Sequence, residues 1–429
     1  MANPEHLALI KQGSEVWNTW YRKHRKVTPD FSQANLSQFE LAGINLKKAI
    51  LTQANLSYAD LSKAQLNGAN LAKANLLGAN LNDANLKNTN LDFAIFSQAT
   101  INRQTIMATK YRQVYEIVNH QGKNKDFSGV DLSNSNLFRA DLSNAELSNA
   151  KLVNVNFNSA NLNSAYLYRA DLTGANLQNA DLRNAYFSHA NLTSTYLAGA
   201  LCCGSYFKDA ELKFANLKAA KLSHKTMIDL KWYSVWEIVN RGAVKKNLSG
   251  ADLTNANLQG ANFTEANLTN AKLSNSILRR SNLNNANLTN TDLVGANICG
   301  VDLEQANLKG AKLKAVISDR HTQLSIPNTS KTKLLVQAKP AVKSNTPAPS
   351  AAKTKLQHDV SLSAPVEDTK NHQTEVEVAP KSHSGGRVIL CLGIGALVAG
   401  GYIFWNQNPS HPLFAKLASW KIQIEQLRK

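Results

Sequence analysis

From Phe31 onward a large apolar residue returns at every fifth position, and no regular secondary structure has that period. The first run passes through Leu36, Leu41 and Leu46 to Phe96 and Ile101; a second goes from Phe127 to Leu222, and a third from Leu248 to Leu313. The runs hold 15, 20 and 14 such positions, and 48 of the 49 carry Leu, Phe or Ile. The exception is Cys202, a small hydrophobe that buries readily. Two residues before the large one stands Ala in most repeats, as at Ala54, Ala59, Ala64 and Ala69, and Asn or Asp often fills the position between. A period of five can be built from a strand fragment plus a corner. The small and large residues, two apart, face one side of an extended segment. A turn rich in Asn, Gly, Ser and Lys then resets the phase. One such unit buries nothing alone, so the repeat predicts a solenoid whose stacked coils enclose Leu and Ala and leave polar residues outside.

The pattern A-(D/N)-L-x-x, seen in ADLTGANLQNADL at 170–182, resembles the pentapeptide-repeat family and covers about 245 of the 429 residues. The resemblance implies an all-β solenoid, a right-handed quadrilateral β-helix with four pentapeptides to each coil; the number of sides and the hand come from the family alone. One feature of the sequence agrees with a coil of 20 residues. Tyr166, Tyr186 and Tyr206 recur at that interval in the same repeat position, which would stack them on one face. That column is the candidate partner surface.

Two segments break the rhythm in nearly the same words, KYRQVYEIVNHQG at 110–122 and KWYSVWEIVNRG at 231–242. Tyr111, Val114, Tyr115 and Val118 match Trp232, Val235, Trp236 and Val239, an i, i+3, i+4, i+7 stripe that predicts an amphipathic helix. Glu116-Ile117-Val118-Asn119 recurs as Glu237-Ile238-Val239-Asn240, and Gly122 and Gly242 stand where a helix stop is needed. Residues 1–30 carry a looser stripe of Leu7, Ile10, Trp17 and Trp20. Open solenoid ends expose core and unpaired backbone, so these residues are expected to pack as helical caps. A W-x-x-W opening and a KW..VWEIVN.G phrase between blocks also resemble cyanobacterial-type members of the family. Two arrangements fit: three blocks separated by helical caps or spacers, or one continuous rod with helices along its side. The first sets the expected boundaries, with a cap at 1–30, block one at 31–101, a spacer at 102–126, block two at 127–222, a spacer at 223–247 and block three at 248–318.

The formal net charge of +18 resembles a nucleic-acid signal only until it is divided. Lys and Arg against Asp and Glu number 5 and 4, 8 and 7, and 5 and 5 in the three runs, so the repeats are close to neutral. The excess lies in the interruptions and the termini, and no nucleic-acid partner is expected. The four cysteines show neither metal-ligand nor disulfide spacing. No nucleotide-binding, zinc-protease or nucleophile-elbow motif occurs. No catalytic, cofactor-binding or metal residues are assigned, and a non-enzymatic protein is expected.

Residues 319–386, rich in Lys, Pro, Ser, Thr and Ala, read as a disordered linker. Val388 to Trp405 holds 18 residues without a charge, about 27 Å as a helix, and predicts a single transmembrane helix at 387–405 contacting lipid. Gly395 and Ala399, and Ala396 and Gly400, have small-xxx-small spacing that would suit helix–helix self-association. Residues 406–429 form a mildly amphipathic tail. The N-terminus lacks a secretory pattern, which predicts a cytoplasmic repeat region. The chain thus reads as a single-pass membrane-anchored scaffold or adaptor whose rigid rod meets an unidentified protein partner. The alternative is topoisomerase protection by DNA mimicry, as some members of the family perform. That would need a strongly negative rod, which the near-neutral repeats do not provide.

Overall fold

The computed structural model describes residues 2–323. Its repeats wind with a register of 20 residues. Asp30 bridges in parallel to Ile50, Ile50 to Asn70, and Asn70 to Asn90; the same offset runs through each block. Between coils the N–H of Phe31 donates to Ile50 O (2.7 Å) and that of Asn55 to Ala34 O (2.8 Å). Each side of a coil is only one or two residues long because a turn follows at once. Ala34 N–H closes the corner onto Phe31 O at 3.0 Å, and Gln33 takes φ of 61°. This positive φ at the third residue of a four-residue turn is the type II geometry. Four such corners complete a coil.

The side chains follow from this backbone. Leu46, Ala49, Leu51 and Ala54 and their counterparts point inward and are fully buried. The residue before each large one points outward, and Asn or Asp there serves two ends. Asp60 Oδ1 accepts the N–H of Ser62 within its own turn (2.9 Å) and Asn80 Nδ2 from the next coil (2.9 Å). Asn is therefore frequent because it tethers its own turn and its neighbour's side chain together.

Two N-terminal helices, α1 (Pro4–Ile10) and α2 (Ser14–Lys23), cover the first coil. The stripe expected as one segment is thus divided between two helices, bent at Gly13, whose φ is 104°. Trp17 is fully buried against Phe31, its Nε1 donating to Asn45 O (2.7 Å), and Tyr21 donates to Lys47 O (3.0 Å). Buried His6 accepts the Asp30 N–H at Nδ1 (3.1 Å).

Blocks one and two end on the same device. The register lengthens by one residue at Asn85↔Ile106 and Tyr206↔Met227, and the extra residue lies in a turn closed by Thr105 or Thr226. Thr105 Oγ1 donates to Leu81 O (2.9 Å) and Thr226 Oγ1 to Cys202 O (2.8 Å). Helices α3 (Thr109–His120) and α4 (Leu230–Arg241) follow directly. Block three ends on the same turn, with Asp302↔Gln323 and Thr322 Oγ1 donating to Ile298 O (3.1 Å). The coil therefore continues to Gln323, past the expected boundary at 318. Ile317 occupies an outward bridge position and is 55% exposed.

Each junction combines features of both arrangements considered from sequence. The helix covers the last coil of one block, yet at one corner the ladder passes directly to the next. Phe93 N–H donates to Asn134 O (2.7 Å), and Phe214 N–H to Asn255 O (2.8 Å). Among the described residues no helix is long and apolar enough to cross a membrane. The expected membrane helix at 387–405, the tail at 406–429 and all of the linker beyond residue 323 lie outside the described residues.

Candidate functional site

Parallel bridges join Glu146, Tyr166, Tyr186, Tyr206 and Met227 into one column on successive coils. The tyrosines point outward because each precedes a buried residue, Leu167, Phe187 or Phe207. The Tyr166 and Tyr186 rings lie 5.0 Å apart and 3° from parallel, close to the roughly 4.8 Å coil spacing. Tyr186 and Tyr206 are looser, at 6.4 Å and 32°. Beneath them Phe187 and Phe207 stack at 4.8 Å. The outer rings remain available: Tyr166 is 46% exposed, Tyr186 44%, and Met227 extends the column at 49%. Partial burial pushes the Tyr166 hydroxyl pKa up, with the neighbouring Tyr186 and Glu146 adding to it, so it stays a neutral donor. Beside the column Tyr168 meets His189 edge-on at 5.6 Å and carries Arg169 over its ring at 5.1 Å. The result is an aromatic strip with hydroxyl and cationic edges, a composition common at protein-binding hot spots.

The structure places the expected cap residues in the two junction helices. Val114, Tyr115, Trp232, Val235 and Trp236 are buried, while Tyr111, Val118 and Val239 are partly buried. In the N-terminal helices Trp17 is buried and Trp20 half-buried against His6 and Trp17. Trp236 Nε1 donates to Ala220 O (2.7 Å) in the last coil of block two. Asn119 and Asn240 close the coil edges beside these helices, and Asn18 does so for the first coil. Asn18 Nδ2 donates to Gly43 O (3.1 Å) while its Oδ1 accepts Asn45 N–H (2.7 Å). Sequence matching aligned Asn119 with Asn240 but gave neither a role, since only the folded edge shows which backbone groups need partners. Gly242 ends α4 in the left-handed region at φ 77°; at α3 Gln121 takes that conformation (φ 63°) and Gly122 follows it. Gly122 is needed for space, because a Cβ there would meet Leu142 Cδ2 at 2.5 Å.

Burial pushes the Cys202 thiol far up, keeping it protonated and inert. Among the described residues no cluster of His, Cys, Asp or Glu is arranged to hold a metal.

Twenty-residue coils, four type II corners and a polar exterior over a Leu/Ala core define a β-solenoid. Eight copies of the family model described as pentapeptide repeats match within residues 30–103, 126–223 and 247–317, more than half of the chain. The chain belongs to the pentapeptide-repeat family, whose members fold as right-handed quadrilateral β-helices. Among solved structures it is similar to HetL, a pentapeptide-repeat protein involved in heterocyst differentiation regulation from the cyanobacterium Nostoc sp. strain PCC 7120. Identity is 27% over 71% of this chain and 98% of that one, with a TM-score of 0.17. It is also similar to Rfr23 from the cyanobacterium Cyanothece 51142, at 36% identity over 24% of this chain and 64% of that one, TM-score 0.14. QnrB1, a plasmid-mediated fluoroquinolone resistance protein, matches at 12% identity over 67% and 87% of the two chains, TM-score 0.20. No curated protein matches the chain.

Proposed function

We propose that this protein is a non-enzymatic scaffold, anchored through residues 387–405, whose solenoid presents the Tyr166–Tyr186–Tyr206 face to a protein partner on the cytoplasmic side. The observation carrying this reading is the aromatic column in which Tyr166 and Tyr186 are exposed, Tyr206 is half-buried, and exposed Met227 continues the line. A column needed only for coil stacking would be served by Asn or Asp, which together hold the outward position in most other repeats. Membrane attachment rests on the uncharged stretch from Val388 to Trp405. The near-neutral repeats speak against a DNA-mimicking role.

The test combines fractionation with substitution. The full-length protein is expected to remain in the membrane pellet after a carbonate wash, and protease added from the cytoplasmic side is expected to release the repeat region. Tyr166→Asn/Tyr186→Asn should leave folding intact while abolishing association with the partner. Recovery of the wild-type chain in the soluble fraction would refute the anchor. Undiminished association by the double variant would refute the tyrosine face.

A further inference from the structure

The two junctions share one geometry and differ in chemistry. With the ladder continuous at one corner and a helix inserted elsewhere, neighbouring coils diverge and leave a wedge. At the second junction this wedge is a cleft of about 280 Å³. Val239 of α4 lines it together with Asn216 and Lys218 of block two and Asn257, Gln259 and Arg280 of block three. No acidic residue lines it. Among the described residues the ion pairs nearby are already made elsewhere: Glu237 with Lys246 and Arg241, and Asp252 with Lys231. Lys218 and Arg280 take part in none of them.

The neutral groups present donors as well. Asn216 uses its Oδ1 to accept the Lys218 N–H (3.1 Å), which leaves its Nδ2 to donate outward. Asn257 Oδ1 accepts Gln259 N–H (3.3 Å), while its Nδ2 reaches Phe214 O (3.4 Å) and closes the cleft floor.

The first junction shows that the fold does not require this charge. At the equivalent positions, 121 residues earlier, stand Ile95 and Ser97, Val118, Asn136, Phe138 and Ser159. Ile95 and Phe138 are exposed there, and the counterpart of Gly260 is Arg139, which lies over the Phe138 ring, so that wedge pairs apolar groups with one cation in a different place. The backbone tolerates Ser at the positions of Lys218 and Arg280, so packing alone does not call for these two cations.

We propose that the cleft between blocks two and three, lined by Lys218 and Arg280, is an oxyanion-binding site for a carboxylate or phosphoryl group. Arg280 supplies a planar fork of donors, Lys218 a point charge, and Asn216 and Gln259 neutral N–H groups around one concave cleft. The site stands on the cleft alone and does not depend on the tyrosine face having a partner.

Calorimetric titration of the full-length chain in detergent micelles tests this, with inorganic phosphate in one arm and a glutamate-rich peptide in the other. At least one probe should bind saturably to one site. Lys218→Ser/Arg280→Ser installs the residues found at the first junction and so should fold with an unchanged melting transition. It should weaken binding by about tenfold or more. Ser97→Ala/Ser159→Ala should change nothing. Binding of phosphate alone identifies a free anion, and peptide binding displaced by phosphate identifies a partner's carboxylates. Absence of saturable binding by either probe, or binding that survives Lys218→Ser/Arg280→Ser, would overturn the proposal.

Discussion

Asn119 and Asn240, each ten residues past the start of its helix, make the same pair of hydrogen bonds to the coil below. Asn119 Nδ2 donates to Phe96 O (3.0 Å) and its Oδ1 accepts Gln98 N–H (2.7 Å). Asn240 Nδ2 donates to Leu217 O (3.0 Å) and its Oδ1 accepts Ala219 N–H (2.6 Å). A carboxamide has the donor and acceptor of a peptide group, so at each edge it replaces part of the coil that the helix displaces.

Removing that replacement should loosen a junction without unfolding the blocks. Asn240→Ala leaves Leu217 O with only the Ala220 N–H (3.2 Å) and gives the exposed Ala219 N–H to water, at a cost of about 0.5–1.5 kcal/mol. Asn240→Asp keeps the acceptor, loses the donor and should fall between. Hydrogen exchange of the 217–220 amides reads this locally, which is preferable to one melting temperature because repeat arrays need not unfold in a single step. Unchanged protection in Asn240→Ala would show the clamp to be dispensable.

Trp236 allows packing and hydrogen bonding to be separated. Trp236→Phe keeps most of the buried ring but strands Ala220 O, for an expected loss of about 1–3 kcal/mol. Trp236→Ala adds a cavity and should cost about 3–5 kcal/mol. Denaturant melts of the two variants should differ in that order.

Glycine positions should differ sharply in tolerance. Gly122→Ala pushes a methyl group onto Leu142 and Phe127, which would lie 2.5 and 3.1 Å from it, and should destabilise by about 1–3 kcal/mol. Gly250, unlike Gly122, has positive φ (69°), but nothing lies within 4 Å of its added Cβ. Asn occupies the same corner at Asn255 and Asn270 with φ of 58°, so Gly250→Asn should change the melting temperature little.

Alkaline pH should distinguish the two junctions. Burial raises the Tyr111 pKa from the ordinary value of 10.0 to about 12; the Leu91 backbone opposes this, and the charge and hydrogen bond of Asp92 add to it. The folded state therefore holds this proton more tightly than the unfolded chain does. Its contribution is complete below pH 10 and is lost as the pH rises from 10 towards 12. At the second junction the equivalent residue is Trp232, which does not titrate in this range. Amides around Phe96 and Gln98 should exchange faster above pH 10 relative to those around Leu217 and Ala219, and Tyr111→Phe should remove the difference.

The parts of the fold legible in the sequence were those set by local repetition. A large residue at every fifth position buries because each corner returns the chain to the same phase, so Leu36 and Leu162 have one environment. The helices were legible because Tyr111 and Trp232 head the same apolar stripe. Groups that act on partners far along the chain were less accessible. Asn18 serves Gly43 and Asn45, and Asn257 reaches back to Phe214. The junction seam joins Phe93 to Asn134 with no pattern in either residue to announce it. The Thr105, Thr226 and Thr322 turns did leave a signal, a threonine three residues into each break in the rhythm. Its meaning depends on the carbonyl of the preceding coil.

Photo-crosslinking from position 186 in intact membranes is the most direct test of the scaffold reading. A light-activated side chain replacing Tyr186 should yield a discrete protein adduct that Tyr166→Asn/Tyr206→Asn removes. The same probe at Asn191, one repeat further round the coil, should yield none. No adduct from position 186, or equal adducts from both positions, would contradict a partner at the tyrosine face.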